Sequence, residues 1–243
     1  METPLNKFIL KLRNLRAKCV FDALKKYCHG SVLDVGGGYF YLYVKENQKI
    51  NFEKWTNLEY GGDRLPHIND SRYESTVGDG CAMTFADNSF DTVVNIQVLE
   101  HVYEPIKMVQ EIQRVLKPNG YAIFLIPQTA SQHQIPQHYY NFTRYWIKKV
   151  MEKSNLEIVE FKTIGGNWST HASQMMYFFF SSLRFPGYSS KESKRNALFY
   201  IMFPFMACYA SIGILIGMIF SIGDLKENPN NHLMVARKRA GNM

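Results

Sequence analysis

From residue 30 onward, short apolar runs alternate with segments whose apolar residues recur at helical spacing, the rhythm of an open α/β sheet. Val32–Val35 is the first strand-like run. Trp55–Glu59, Thr76–Gly80, Phe90–Ile96 and Tyr121–Ile126 follow, and the last of these is apolar enough for a sheet centre. Leu156–Phe161 reads as a sixth strand, although adjacent Ile158 and Val159 break strict alternation. His232–Lys238 reads as another. Pro105 opens a helix in which Ile106, Val109, Ile112, Val115 and Leu116 keep helical spacing, and Lys117-Pro118-Asn119-Gly120 stops it. A further helix is expected from about Arg144 to Lys153. Upstream, Phe8, Ile9, Leu12, Leu15, Val20, Phe21 and Leu24 supply the apolar residues of a basic amphipathic N-terminal helix.

Charge sharpens that picture. The formal net charge is +7, and it is unevenly placed. Lys7, Lys11, Arg13, Arg16, Lys18, Lys25 and Lys26 share the N-terminal helix. Arg184, Lys191, Lys194 and Arg195 form a second cluster, and Arg237, Lys238 and Arg239 a third. The first helix suits either a sheet-covering role with a solvated basic face or attraction to an anionic membrane surface. No basic–aromatic interleaving or recognised module points to nucleic acid. Cys19, Cys28, Cys81 and Cys208 are scattered, with no metal-ligand spacing and no disulfide framework, which fits a reducing, cytoplasmic setting. Residues 1–16 lack the uninterrupted apolar core of a signal peptide.

The candidate chemistry sits at strand ends. Gly36-Gly37-Gly38 follows the first strand directly, so the chain turns tightly where a ligand can approach the backbone. A nicotinamide fingerprint needs a glycine at position 41, which is Tyr41. Asp34, Glu59, Asp79 and Asn95 end successive strands, and ligands of open α/β sheets bind outside those ends. A glycine loop followed by two acidic strand ends offers, in order, a contact for an amino-acid moiety, a ribose diol and an adenine edge; a carboxylate such as Glu59 accepts paired hydroxyl hydrogens.

With these residues in hand, the chain resembles the class I S-adenosylmethionine-dependent methyltransferases of the type 11 group. The resemblance is carried by Leu33-Asp34-Val35-Gly36-Gly37-Gly38, Gly78-Asp79-Gly80, Phe85 to Asp91, Val98-Leu99-Glu100-His101-Val102 and Arg114 to Gly120. It implies a doubly wound, Rossmann-like sheet of seven strands with the last antiparallel, and S-adenosylmethionine as cofactor. It also implies that Asp34, Gly36 and Gly38 hold the methionine part, Glu59 the ribose, and Asp79 and Gly80 the adenine, with Asn95 to Val98 as the pocket floor. The sequence departs from the usual pattern in having Phe40 where a third glycine is common, and in leaving little room for a full helix between Glu59 and Asp79. His138-Tyr139-Tyr140-Asn141-Phe142-Thr143-Arg144 resembles a stretch in bacterial members associated with surface-polysaccharide genes. His101 and His138 are the candidate bases, with His133 beside them, and Tyr139, Tyr140 and Arg144 are candidate substrate contacts. Thr143 alternatively caps a helix.

Four segments follow: residues 1–29 as the basic helix, 30–165 as the cofactor-binding core, 166–231 as an apolar helical insert, and 232–243 as last strand and basic tail. Leu198–Ile222 is apolar and long enough to cross a bilayer. A single crossing, however, would put the last strand on the far side from its sheet. The insert must therefore leave and return on one face, with His171–Leu183 as a partner helix and Pro204 as a bend. Ala210, Gly213, Gly217 and Ser221 supply a helix-packing face. Such a pair would lie on the inner face of the cytoplasmic membrane, cap the site, or bury itself in a dimer interface. The expected activity is O-methylation of a glycan or lipid-linked glycan at that membrane. The alternatives are C- or O-methylation of a prenylated quinone or lipid, and a non-catalytic membrane-anchored binding partner.

Overall fold

The computed structural model describes residues 18–46, 49–185 and 194–240. Most of the N-terminal helix expected from the sequence, including Lys7 to Arg16, lies outside them; residues 18–27 form its described part, α1. The sheet has seven strands: β1 (Ser31–Val35), β2 (Lys54–Glu59), β3 (Tyr73–Val77), β4 (Phe90–Ile96), β5 (Leu116–Pro127), β6 (Leu156–Ile164) and β7 (Asn231–Lys238). Their order is β3-β2-β1-β4-β5-β7-β6. The first five pair in parallel, and β7 runs antiparallel between β5 and β6.

Helices cover both faces, which is why the central strands are apolar on both sides. On one face, α3 (Pro105–Val115) and α4 (Arg144–Lys153) pack Val109, Ile112, Ile147 and Met151 against Leu33, Val93 and Phe124. On the other, α1 and α2 (Phe40–Glu46) pack Val20, Leu24, Tyr41 and Val44 around the fully buried Trp55. Thr143 caps α4, its side chain accepting from the Trp146 amide. Two sequence expectations shift. β3 ends at Val77, opposite Glu59, so Asp79 lies in the following turn. β6 continues to Ile164 through a bulge between Ile158 and Glu160, which accounts for the broken alternation at Val159. Between β2 and β3 only the short turn Gly62–Arg64 is helical, as the spacing required.

The insert forms two helices, α5 (Asn167–Ser182) and α6 (Ala197–Phe220). Its ends meet at a single rung, because Ile164 and Asn231 are partners in the β6–β7 ladder. Ala210, Gly213 and Gly217 are the buried residues of α6. A side chain at Gly217 would come within 2.9 Å of the Ala172 Cβ and the Trp168 carbonyl oxygen, so the two helices pack through glycine. Asp224 accepts from the Trp168 and Ser169 amides and pins the start of α5. The rest of α6 is open: Leu198, Ile201, Phe205, Tyr209 and Leu215 are each more than half exposed. Of the basic tail, Arg237 pairs with Glu157, and Lys238 reaches Asn88 and the carbonyls of Arg114 and Leu116. These two residues fasten the sheet end instead of forming a basic surface patch.

Candidate active site

A cavity of about 480 Å³ opens at the carboxyl ends of β1, β2 and β4. Gly36, Glu59, Asp79, Gly80, Val98 and His101 lie on its wall. The glycine loop is shaped by what lies beneath it. Asp34 is fully buried and accepts from the Trp55 indole N–H at 3.2 Å. A Cβ on Gly37 would overlap the Asp34 carboxylate, 1.9 Å from Oδ2. Gly36, at φ +72°, lies against Val98. The loop amides then find acceptors on β2: Gly37 donates to Asn57 Oδ1 at 3.2 Å, and Gly38 to Glu59 Oε1 at 2.5 Å. Asn57 Nδ2 donates to the same Glu59 oxygen. Burial pushes the Asp34 carboxyl up to about 8, with the nearby Glu59 charge acting in the same direction. Asp79 Oδ1 holds the Cys81 amide at 2.8 Å, closing the turn on the cavity's far side.

These placements sort the expected cofactor residues. Gly36, Glu59, Asp79, Gly80 and Val98 reach the wall, and space around Gly38 is open. Asp34 does not: it props the loop from below. Asn95 does not either, because it points into the α3 layer, where its amide meets Met108 Sδ at 3.6 Å. Gln97 lines the cavity instead. Sequence reading missed Gly37, Asn57 and Trp55, which fix the loop; the triple glycine and the polar Asn57 in an apolar strand are the signals that mark them.

The loop after β5 closes the cavity from above. Its anchor is the Tyr139 amide, which donates to the Glu100 carbonyl at 2.8 Å. This brings the His101 imidazole together with those of His133 and His138 on the loop. Ring centroids are 4.8 Å apart for His101 and His133, 4.5 Å for His133 and His138, and 5.7 Å for His101 and His138. His101 Nδ1 lies 2.6 Å from the Gln137 carbonyl. A carbonyl can only accept, so Nδ1 carries the proton and the neutral ring's lone pair is on Nε2. Beside it, Glu100 is fully buried, neither carboxylate oxygen has a hydrogen-bond partner among the described residues, and burial pushes its carboxyl up to about 7. Donor atoms of Glu100, His101 and His133 spread over as much as 4.8 Å. One ligand atom from each of the three side chains thus falls within 4.8 Å of the others, a spacing at which they could hold a metal ion.

His138 does not reach the wall. It sits behind His133, whose amide donates to its Nδ1, and burial lowers its basicity. Tyr139 lines the cavity, whereas the Tyr140 hydroxyl donates to the Tyr103 carbonyl. Arg144 does not join the site: its guanidinium donates to the Lys226 carbonyl, tying α4 to the segment that enters β7.

Comparison with known proteins agrees with this geometry. Residues 33–124 match the family model described as a methyltransferase domain. Thiol S-methyltransferase TMT1B of Rattus norvegicus is 39% identical over 74 residues, 30% of this chain and 29% of that protein. Demethylmenaquinone methyltransferase of Renibacterium salmoninarum is 43% identical over 63 residues, 26% of this chain and 24% of that one. The chain thus spans less than a third of either protein. Among solved structures, the complex of the Haloferax volcanii Trm112 methyltransferase activator with a methyltransferase superposes with a TM-score of 0.62 at 14% identity, covering 96% of this chain and 93% of that one. The strand order with its antiparallel β7 is that of the solved methyltransferase fold, and the glycine loop lies within residues 33–124, which match the methyltransferase domain model.

Proposed function

We propose that the protein transfers a methyl group from S-adenosylmethionine to a hydroxyl oxygen of a glycan or lipid-linked glycan presented at the cytoplasmic face of a membrane. The observation that carries the reading is one cavity joining the glycine loop, Glu59 and the Asp79–Gly80 turn, with His101 on its remaining side. When bound, the cofactor supplies an electrophilic methyl on a sulfonium. Glu59 already holds the loop through Oε1, and its second oxygen would accept from the ribose. Asp79 and Gly80 would face the adenine. Positioning an acceptor against the methyl supplies about 7–11 kcal/mol of the barrier. His101 Nε2 would take the hydroxyl proton as the methyl passes to the acceptor oxygen, the electron pair of the S–CH3 bond staying on sulfur. General-base catalysis of this kind contributes about 10²–10⁴-fold.

The membrane part of the proposal is supported by the open apolar face of α6, with Arg184 and Lys194 on the approach to it. Co-sedimentation of the full chain with anionic vesicles tests it, and an intact monomer indifferent to them would sink it. A second reading, ring methylation of a prenylated quinone, is favoured by the match to the demethylmenaquinone enzyme. Product analysis separates methyl ethers on sugars from methylated rings.

Calorimetric titration with S-adenosylmethionine comes first. Wild type is expected to bind, and Glu59→Ala to weaken binding about ten-fold or more, a loss of about 1.4 kcal/mol. His101→Ala should leave cofactor affinity intact and lower kcat about 10²–10⁴-fold. No binding by well-folded protein overturns the reading.

A further inference from the structure

A second cavity, of about 660 Å³, lies on the other side of Gln97 from the cofactor cavity. Phe21 of α1, Phe40 of α2, Ile96 of β4, Leu125 of β5 and Ile164 of β6 turn partly exposed apolar side chains into it. Its size falls within the range of small-molecule sites. A folded chain ordinarily fills such a space with its own side chains, since close packing is the rule in protein interiors. Among the described residues, five different elements converge here and leave it open.

Gln97 is the residue common to the two cavities. Its backbone is left-handed, at φ +57°, a costly conformation for a side chain of this kind. The surroundings hold it there: its amide donates to the Leu125 carbonyl at 2.9 Å, and Nε2 donates to Asn231 Oδ1 at 2.7 Å. A strained, doubly tethered residue thus separates the place for a methyl donor from an apolar chamber. Phe40 starts α2 and adds its ring to that chamber. The chamber also meets α5, through Ser169 and Ser173.

We infer that this chamber takes the long apolar chain of the methyl acceptor, whose polar, methylated end lies at Gln97. The acceptor is then an amphiphile, which excludes a free glycan as the substrate. The inference rests on the methyltransferase reading for the role of the chain, although the chamber's affinity for a chain is a separate property.

The full-length protein is titrated with dansyl-undecanoic acid, a fluorescent single-chain probe, with and without saturating S-adenosylmethionine. The expected result is bright, blue-shifted emission that the cofactor leaves in place, because the two occupy different cavities. Ser173→Trp on α5 and Ile164→Trp on β6 narrow the chamber from two elements. Each should weaken the probe at least ten-fold while cofactor affinity, measured by calorimetry, stays within two-fold and reports an intact fold. Displacement of the probe by cofactor in wild type would place the chain in the first cavity and overturn the inference. So would probe affinity unchanged in both variants, which would assign it to the open face of α6. Absence of cofactor binding with chamber binding retained would instead refute the methyltransferase reading and leave the chamber standing.

Discussion

Helices α3 and α6 meet solvent in opposite ways. α3 turns Met108, Val109, Ile112 and Val115 inward and presents polar residues to water. α6, more than twice as long and free of charge, turns its smallest residues inward and leaves Leu198, Phe205 and Leu215 outside. The difference teaches that hydropathy states how much a helix can bury, while its neighbour decides which residues are buried. The sheet is a broad apolar surface that rewards large side chains. α5 is a single helix, and close approach to it rewards glycine. What α6 shows to the outside is therefore not a failed core but a surface of its own.

The comparison breaks most readily in α3. Ile112→Ala is expected to cost about 2–5 kcal/mol in urea unfolding, since the site is fully enclosed. Gly217→Leu should cost about 1–3 kcal/mol, because the Trp168 carbonyl and the Ala172 Cβ stand where its side chain would go. A smaller effect than α3's would confirm that the insert packs through one narrow contact.

The sheet side is sharpened by pH. Burial raises the folded-state Asp34 carboxyl from its ordinary value to about 8. Below pH 4 both states hold the proton, and its contribution to stability is complete. Between about 4 and 8 the unfolded chain releases a proton that the folded chain retains, so stability falls by at most about 1.4 kcal/mol per pH unit. Asp34→Asn should flatten that slope, and an unchanged slope would place the titration elsewhere. Smallest of all, Phe205→Ser should alter unfolding free energy by no more than about 0.5 kcal/mol. It should nonetheless reduce vesicle binding measurably; an equal loss of stability would mean that α6 is buried in an assembly.

Much of the fold was legible because its signals are local. β4 and α4 have the expected bounds, and the β6 irregularity at Val159 already hinted at its bulge. β3 ends at Val77 because β2 offers no partner beyond Glu59, whose carbonyl takes the Gly78 amide as the last bond between them. The site was partly legible. Glu59 and Asp79 stand where strand ends suggested. Asp34 and Asn95 illustrate the cost of treating every polar strand end as facing a ligand. Alternation along β1 sends Asp34 to the Trp55 side, and alternation along β4 sends Asn95 toward α3. Parity within the strand, counted from apolar neighbours, would have separated them. His101, His133 and His138 were legible as candidate bases, but their convergence was not, because it depends on a loop folding back to the Glu100 carbonyl.

Ile164 and Asn231 face each other on one rung, so everything between them departs from and returns to points about 5 Å apart. A tight turn would satisfy the sheet equally well at that place. The excursion is thus joined to the sheet at one rung, with side ties from Arg144, Gln128 and Thr129 to the carbonyls of Lys226, Glu227 and Pro229. A scaffold joined in this way can acquire, lose or trade its contact with an external surface while its reaction centre stays the same, which makes this junction the natural point at which to graft one such surface onto another catalyst.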